Sequence, residues 1–285
     1  MCVVGIYANE QKDSELRFTK KLISLLNERG IPYCLDEQIA ALLDEGKEIE
    51  DAKPDIIMVL GGDGTMLSAV RKYARTGARL FGFNMGRIGF LLDSEMSVME
   101  EAVDALISGN YITEKRMVLC ATVVSGETGR VKYQQYALNE VVVSQKSILR
   151  MANLELRVND CMVDDINCDG IIISTPTGST GYSLSAGGPI VTPSLDVMLI
   201  TPVCPHTLTS FNMVISGEDV VKMHPKGSTK LAAMTIDGQK SFDIGEGDTV
   251  IVRSADFKAL FARYSNKDFF SVLKEKFADW NDNRG

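Results

Sequence analysis

Four stretches of this sequence gather residue types that handle phosphates, hydroxyls and nucleotide bases. The first, Gly61-Gly62-Asp63-Gly64-Thr65, follows the apolar run Asp55–Leu60 and precedes a helical pattern reaching Thr76. Glycines there permit positive φ and carry no side chains, so backbone amides can approach a polyphosphate at a helix start. A ligand-free strand-to-helix turn is the bland alternative. Asp63 weighs against it. Phosphates repel a carboxylate unless it binds Mg²⁺ or takes a proton from a hydroxyl nucleophile, and both are kinase roles. No Lys-Ser/Thr pair follows, so the loop is not a Walker loop.

The second stretch, Gly82-Phe83-Asn84-Met85-Gly86-Arg87-Ile88-Gly89-Phe90-Leu91, ends a predicted parallel strand, where open sheets bind ligands. It should sit beside the first loop. The third is Asn139-Glu140, inside the strand-like run Ala137–Ser144. Adjacent strand residues face opposite ways, so one core cannot bury both. A carboxamide and a carboxylate together suit a base edge and ribose hydroxyls, which need donors and acceptors. The fourth runs from Asp169-Gly170 through Thr175-Pro176-Thr177-Gly178-Ser179-Thr180-Gly181-Tyr182-Ser183-Leu184-Ser185 to Pro189-Ile190. So much Ser, Thr and Gly is usually a solvated loop. Its flanks are apolar, which favours a segment pinned across a site, with Tyr182 able to stack on a base.

The elements that must position these residues fall into two rhythms. Strands are predicted at Val3–Ala8, Ile31–Leu35, Asp55–Leu60 and Arg79–Asn84, and helices at 13–29, 65–76 and 97–108. Gly30, Gly77 and Gly109 stand where those helices should stop. This alternation predicts a doubly wound parallel α/β sheet. After about Met117, short strands separated by turn signals (Gly126-Glu127-Thr128-Gly129, Asn159-Asp160) predict an antiparallel, β-sandwich-like domain. A final amphipathic helix, Asn266 to about Trp280, should return to the first domain. The expected division is 1–112 with about 265–285, and 113–264.

Composition narrows the function further. A chain of 285 residues can bury two modest cores. No apolar run approaches the roughly 18 residues of a membrane span. Residues 1–8 read as a buried strand, being too short and lacking the basic flank of a signal peptide. Six cysteines without a C-x-x-C pair read as reduced thiols in a cytoplasmic protein. The two histidines, His206 and His224, have no partner at a triad spacing. A net charge of −8 argues against a nucleic-acid groove. Anionic ligands would then need helix N-termini, a few arginines and a metal ion to offset the global field.

Taken in order, the motifs resemble the NAD kinases along nearly the whole chain. The resemblance runs from the Gly61–Thr65 loop through Asn139-Glu140, Asp169-Gly170, Thr177–Ser185 and Thr201–Leu208 to Ile236-Asp237-Gly238-Gln239. It implies a Rossmann-like N-terminal domain and a β-rich, NAD-binding C-terminal domain assembled as a homodimer or homotetramer. It also implies phosphorylation of the adenosine 2′-hydroxyl of NAD by ATP with a divalent cation such as Mg²⁺, making NADP. Asp63 matches the catalytic base. Asp63, Gly64 and Ser68 match dinucleotide contacts, Asn139 and Glu140 the adenosine contacts, and Asp169 a contact to the nicotinamide half. Thr180, Gly181, Tyr182, Ser183, Leu184 and Ser185 match the pocket segment, and Arg150, Asn167 and Gln239 fall at contact spacings. Position 181 is Gly where many bacterial members have Ala. Asn167 stands where several carry Arg, which leaves both NAD and NADH open as acceptors. Inorganic polyphosphate remains open beside ATP as donor. Lipid kinases share the loop, but no basic amphipathic segment accompanies it here. A nucleotide sensor would not require Asp63, and a dehydrogenase would carry G-x-G-x-x-G after its first strand.

Overall fold

Short apolar runs alternating with helices fold here into a parallel sheet, as βαβ connections require. The computed structural model describes residues 2–44, 48–86, 89–146, 151–207, 211–226, 232–264 and 268–282. Met1–Lys115 with Ala259–Gly285 form one compact unit and Arg116–Lys258 a second. In the first unit, strands β1 (Val4–Ala8), β2 (Tyr33–Leu35), β3 (Ile56–Gly61), β4 (Arg79–Asn84), β5 (Ser94–Glu95) and β6 (Ile112–Arg116) alternate with helices. These are α1 (Arg17–Glu28), α2 (Glu37–Leu43), α3 (Ile49–Ala52), α4 (Asp63–Tyr73) and α5 (Met99–Ile107). The strands β2-β1-β3-β4 lie in that order, all parallel. All six residues of β3 are buried, as its unbroken apolar run requires of a strand covered on both faces. Gly30 and Gly77 take φ of +64° and +81° just beyond their helices, the left-handed stop expected of them.

The second unit holds β7 (Leu119–Val124), β8 (Val131–Ala137), β9 (Glu140–Gln145), β10 (Ala152–Val158), β11 (Cys161–Cys168) and β12 (Gly170–Ser174). After the short helix α6 (Tyr182–Ser185) come β13 (Val197–Val203), β14 (Met213–Ser216), β15 (Val221–Lys226), β16 (Ala232–Ile236), β17 (Lys240–Ile244) and β18 (Thr249–Ser254). They form two six-stranded antiparallel sheets, ordered β11-β10-β15-β18-β7-β8 and β14-β13-β12-β9-β16-β17. Alternate residues from both sheets meet in one core: Leu119, Ala121 and Val123 from β7, Val141 and Val143 from β9, Ile171 and Ile173 from β12. This is a β-sandwich. Each Leu, Val or Ile among them contributes about 1.5–3 kcal/mol by leaving water. Asn159 and Asp160 take positive φ (49° and 65°) and close the β10–β11 hairpin.

The chain then supplies β19 (Ala259–Arg263), which pairs parallel to β4 in the first unit's sheet, and α7 (Phe269–Asp282). The strand-like run Ala137–Ser144 is split between β8 and β9, interrupted at Leu138-Asn139.

Candidate active site

In the first unit, β3 ends at Gly61 and α4 starts at Asp63, so Asp63 is the first residue of a helix rather than part of a loop. Gly62 caps that helix in extended backbone, and its amide donates to the Thr65 hydroxyl at 3.3 Å. The loop glycines are absent from the positive-φ residues, so their freedom in φ is not used. Space is what they provide. A Cβ on Gly61 would overlap the Thr65 side chain, and the Lys12 ammonium lies over Gly62.

The second glycine-rich stretch packs against this turn, as expected. Met85 N–H donates to the Gly61 carbonyl at 2.8 Å, and Asn84 pins the returning chain by exchanging two hydrogen bonds with Gly86. The amides of Phe90 and Leu91 donate to the two carboxylate oxygens of Asp63 at 2.9 and 3.3 Å. Gly89 leaves room for that carboxylate, since a Cβ there would fall on it. A carboxylate has about four acceptor positions, so Asp63 is aimed by two amides and keeps capacity for a hydroxyl proton. Gly64 is exposed at the second position of α4. Ser68, one turn on, is half-buried and accepts from Arg71 at 3.1 Å. Arg87 and Ile88 lie outside the described residues.

The second unit contains a cavity of about 340 Å³, within the range of small-molecule sites, lined by Glu140, Val142, Ser144, Asp169, Gly170, Tyr182, Val203, Thr235 and Gly238. Glu140 opens β9 and is only 6% exposed. Burial, reinforced by the neighbouring Asp237 carboxylate and partly offset by the Tyr182 amide, pushes its carboxyl up to about 7. Its Oε2 and the Oδ1 of Asn139 are buried without a hydrogen-bond partner. Such atoms cost about 1–3 kcal/mol each unless something donates to them. Asn139 is not a strand residue. It sits in the break between β8 and β9, where its carbonyl accepts from Thr175 N–H at 2.9 Å and Ser174 Oγ at 3.2 Å. The break removes the alternation that would have turned the two side chains to opposite faces.

Comparison with known proteins decides the family. The model described as the ATP-NAD kinase N-terminal domain matches residues 4–111, and that of the ATP-NAD kinase C-terminal domain matches 138–264. Among curated relatives, a NAD kinase of Desulforamulus reducens is 39% identical, the match covering 98% of both chains. One from Acetivibrio thermocellus is 37% identical over the same shares. The chain belongs to the NAD kinase family. Among solved structures, a NAD kinase from Archaeoglobus fulgidus in complex with ATP is similar at TM-score 0.74 and 26% identity, covering 96% of this chain and 98% of that one. Yeast NADH kinase complexed with NADH shares the fold at TM-score 0.86 and 20% identity, over 98% of this chain and 88% of its own.

Set against the NAD kinase motifs, the expected contacts divide by position. Glu140, Asp169 and Tyr182 line the cavity together. Asp169 is exposed, and its amide donates to the Val203 carbonyl at 3.0 Å. Tyr182 is 46% exposed, so its ring is available for stacking. Thr180 and Gly181 precede it in a 3₁₀ turn and at the start of α6, and a Cβ on Gly181 would meet Glu140 Oε2 at 3.2 Å. Ser183 points elsewhere: it is buried and hydrogen-bonded to Thr201 Oγ1 at 3.0 Å, a bond that ties α6 to β13. Leu184 is half-buried and Ser185 exposed, and neither lines the cavity. Asn167 is exposed on β11 and accepts from Asn153 Nδ2 at 3.0 Å, also outside the cavity lining. Gln239 closes the turn after β16, its amide donating to the Ile236 carbonyl at 2.9 Å. Arg150 lies outside the described residues.

Sequence reasoning did not find Ser144, Thr235 or Val203 as cavity residues, because each sits in a strand where alternation alone decides the face. A usable signal was present at Asp237-Gly238. These take φ of 48° and 64° in the hairpin turn joining β16 and β17, the conformation for which Asp-Gly is selected.

Proposed function

We propose that this chain transfers the γ-phosphoryl group of ATP to the 2′-hydroxyl on the adenosine half of NAD, giving NADP. Family membership and the NAD kinase relatives support the overall reaction. Within the chain, the observation that carries it is the pair of buried, unpartnered acceptors on Asn139 and Glu140, with Glu140 in the cavity wall. An adenosine offers an exocyclic amine and ribose hydroxyls, the donors such acceptors need. Tyr182 supplies the stacking face and Asp169 an acceptor for the nicotinamide half. The second unit would thus carry the dinucleotide, with Thr180, Gly181 and Ser185 as the neighbouring pocket segment and Gln239, Asn167 and Arg150 as outer contacts.

Asp63 accepts the 2′-hydroxyl proton as that oxygen bonds to the γ-phosphorus, and the bond from phosphorus to the leaving ADP oxygen breaks. The two amides on its carboxylate hold it oriented before substrate arrives. The start of α4, with Gly64 and Ser68, provides the dipole end that favours phosphate. Among the described residues no group of three or more His, Cys, Asp or Glu could hold a metal. Mg²⁺ would be held chiefly by the donor phosphates, which leaves the Asp63 carboxylate to act as the base. The ion would neutralise phosphate charge. Among the described residues no helix is long and apolar enough to cross a membrane. A cytoplasmic location and a homodimeric or homotetrameric assembly complete the proposal on the strength of the family resemblance.

The test is an activity matrix of ATP and polyphosphate against NAD and NADH, with Mg²⁺ and with chelator. Formation of NADP from ATP and NAD is expected. Its absence in a folded preparation overturns the proposal, and NADPH from NADH would show that the reduced dinucleotide is accepted as well.

A further inference from the structure

Asp237 makes an unusual set of contacts for a hairpin-turn residue. Its side chain is 6% exposed, and its carboxylate accepts three consecutive amides from the break between β8 and β9. Leu138 N–H donates to Oδ2 at 3.2 Å, and Asn139 and Glu140 N–H donate to Oδ1 at 2.8 and 3.2 Å. In the other direction the Asp237 amide donates to the Glu140 carbonyl at 2.9 Å. Adjacent β9 and β16 are paired only from Val141 and Ile236 onward, so on that side Asp237 holds residues 138–140, while on the other side Glu140 pairs with Ser174 of β12. A turn held this way presents the Asn139 and Glu140 side chains in one geometry, although Asn139 Oδ1 and Glu140 Oε2 lack partners of their own.

We infer that Asp237 is a positioning residue for the acceptor nucleotide, fixing the 138–140 backbone so that Asn139 and Glu140 meet the adenosine in register. The inference rests on the reading that this pair binds the acceptor. Asp237 also sets the field in which Glu140 works. It acts on Glu140 by charge from the turn after β16, while Asp169 before β12 and Tyr182 on α6 face the same cavity and Ser144 and Thr235 line it without charge. A ligand that donates to Glu140 prefers its ionised form, so affinity for the acceptor should fall as Glu140 takes up a proton.

The experiment compares D237A, D237N and E140Q with the wild-type chain in steady-state assays between about pH 5.5 and 9. D237A should raise KM for NAD about tenfold or more, because three amides lose their acceptor, while kcat and KM for ATP stay within about threefold. D237N keeps Oδ1 for Asn139 and Glu140 and tolerates the positive φ, so it should recover KM for NAD to within about threefold of wild type. In both variants the pH at which KM for NAD begins to rise on acidification should move lower, because the charge that disfavours ionised Glu140 is gone. A merely structural contact would not move that break. A folded D237A with unchanged KM for NAD, or a D237N whose break stays in place, overturns the inference. Should D237A fail to fold, the break in D237N decides alone. E140Q separates the two levels: no effect on KM for NAD removes the underlying reading, whereas a clear effect beside a silent D237A removes only the role of Asp237.

Discussion

At the scale of single residues, two carboxylates sit in contrasting environments. Asp63 is held by backbone amides at a helix start, and Glu140 is buried beside another acid. Replacing Asp63 by Asn keeps one accepting oxygen for the amides but removes the base, so kcat should fall by about 10²–10⁴ with the melting temperature little changed. A loss under about tenfold in an NADP-formation assay would sink the assignment. Glu140 has the opposite effect on the apo fold. Its folded value is raised from 4.5 to about 7, so its contribution to stability is present below 4.5 and lost as pH rises through 7. E140Q should therefore stabilise the ligand-free chain by up to about 3 kcal/mol near pH 8, with the gain vanishing towards about pH 5. Thermal melts across that range check it, and a pH-independent gain contradicts it. The type and setting of Asp63 were legible in the sequence because strand, glycines and helix are contiguous. The burial of Glu140 was not, since it depends on β12, β16 and α6 closing around it.

At the scale of elements, glycines act by absence of bulk. G89A should push the Asp63 carboxylate off its amides and lower kcat at least about tenfold, leaving KM for NAD little altered. A G89A enzyme with wild-type kcat would show that the carboxylate does not need that position. G178A places a Cβ against the Asn139 carbonyl. It should lower the melting temperature by several degrees and raise KM for NAD, since overpacking against backbone costs about 1–3 kcal/mol. Legibility differed sharply among elements. Arg79–Asn84 is legible residue for residue, being a short apolar run between turn signals. Strand β11 continues through the polar Asp164, Asp165 and Asn167 because it is an edge strand exposed over most of its length. Strands β15 and β17 carry weak signals: Pro225 argues against a strand, and β17 is a mostly exposed edge. Strand β19 was missed, although it gives the first unit's sheet a fifth parallel neighbour in the β2-β1-β3-β4 row.

At the scale of the whole molecule, a net charge of −8 faces two anionic nucleotides. Local dipoles and cations have to overcome that field, and salt screens its long-range part over about 10 Å at 0.1 M. Raising ionic strength from about 0.02 to about 0.15 M should therefore lower KM for NAD and ATP by roughly twofold. A KM that rises with salt would mean that local cations dominate. The sequence by itself determined the two rhythms, the Gly61–Thr65 motif bearing Asp63 and the family, because each is written in contiguous residues or in the order of motifs. Only the tertiary structure decided that Asp63 takes its amides from Phe90 and Leu91, and that Asp237 clamps residues 138–140. It also turned Ser183 inward to Thr201 and left Glu140 in a cavity wall. These are contacts between residues up to 99 apart, created when strands distant in sequence become neighbours in a sheet. Local pattern carries no record of which strands those will be.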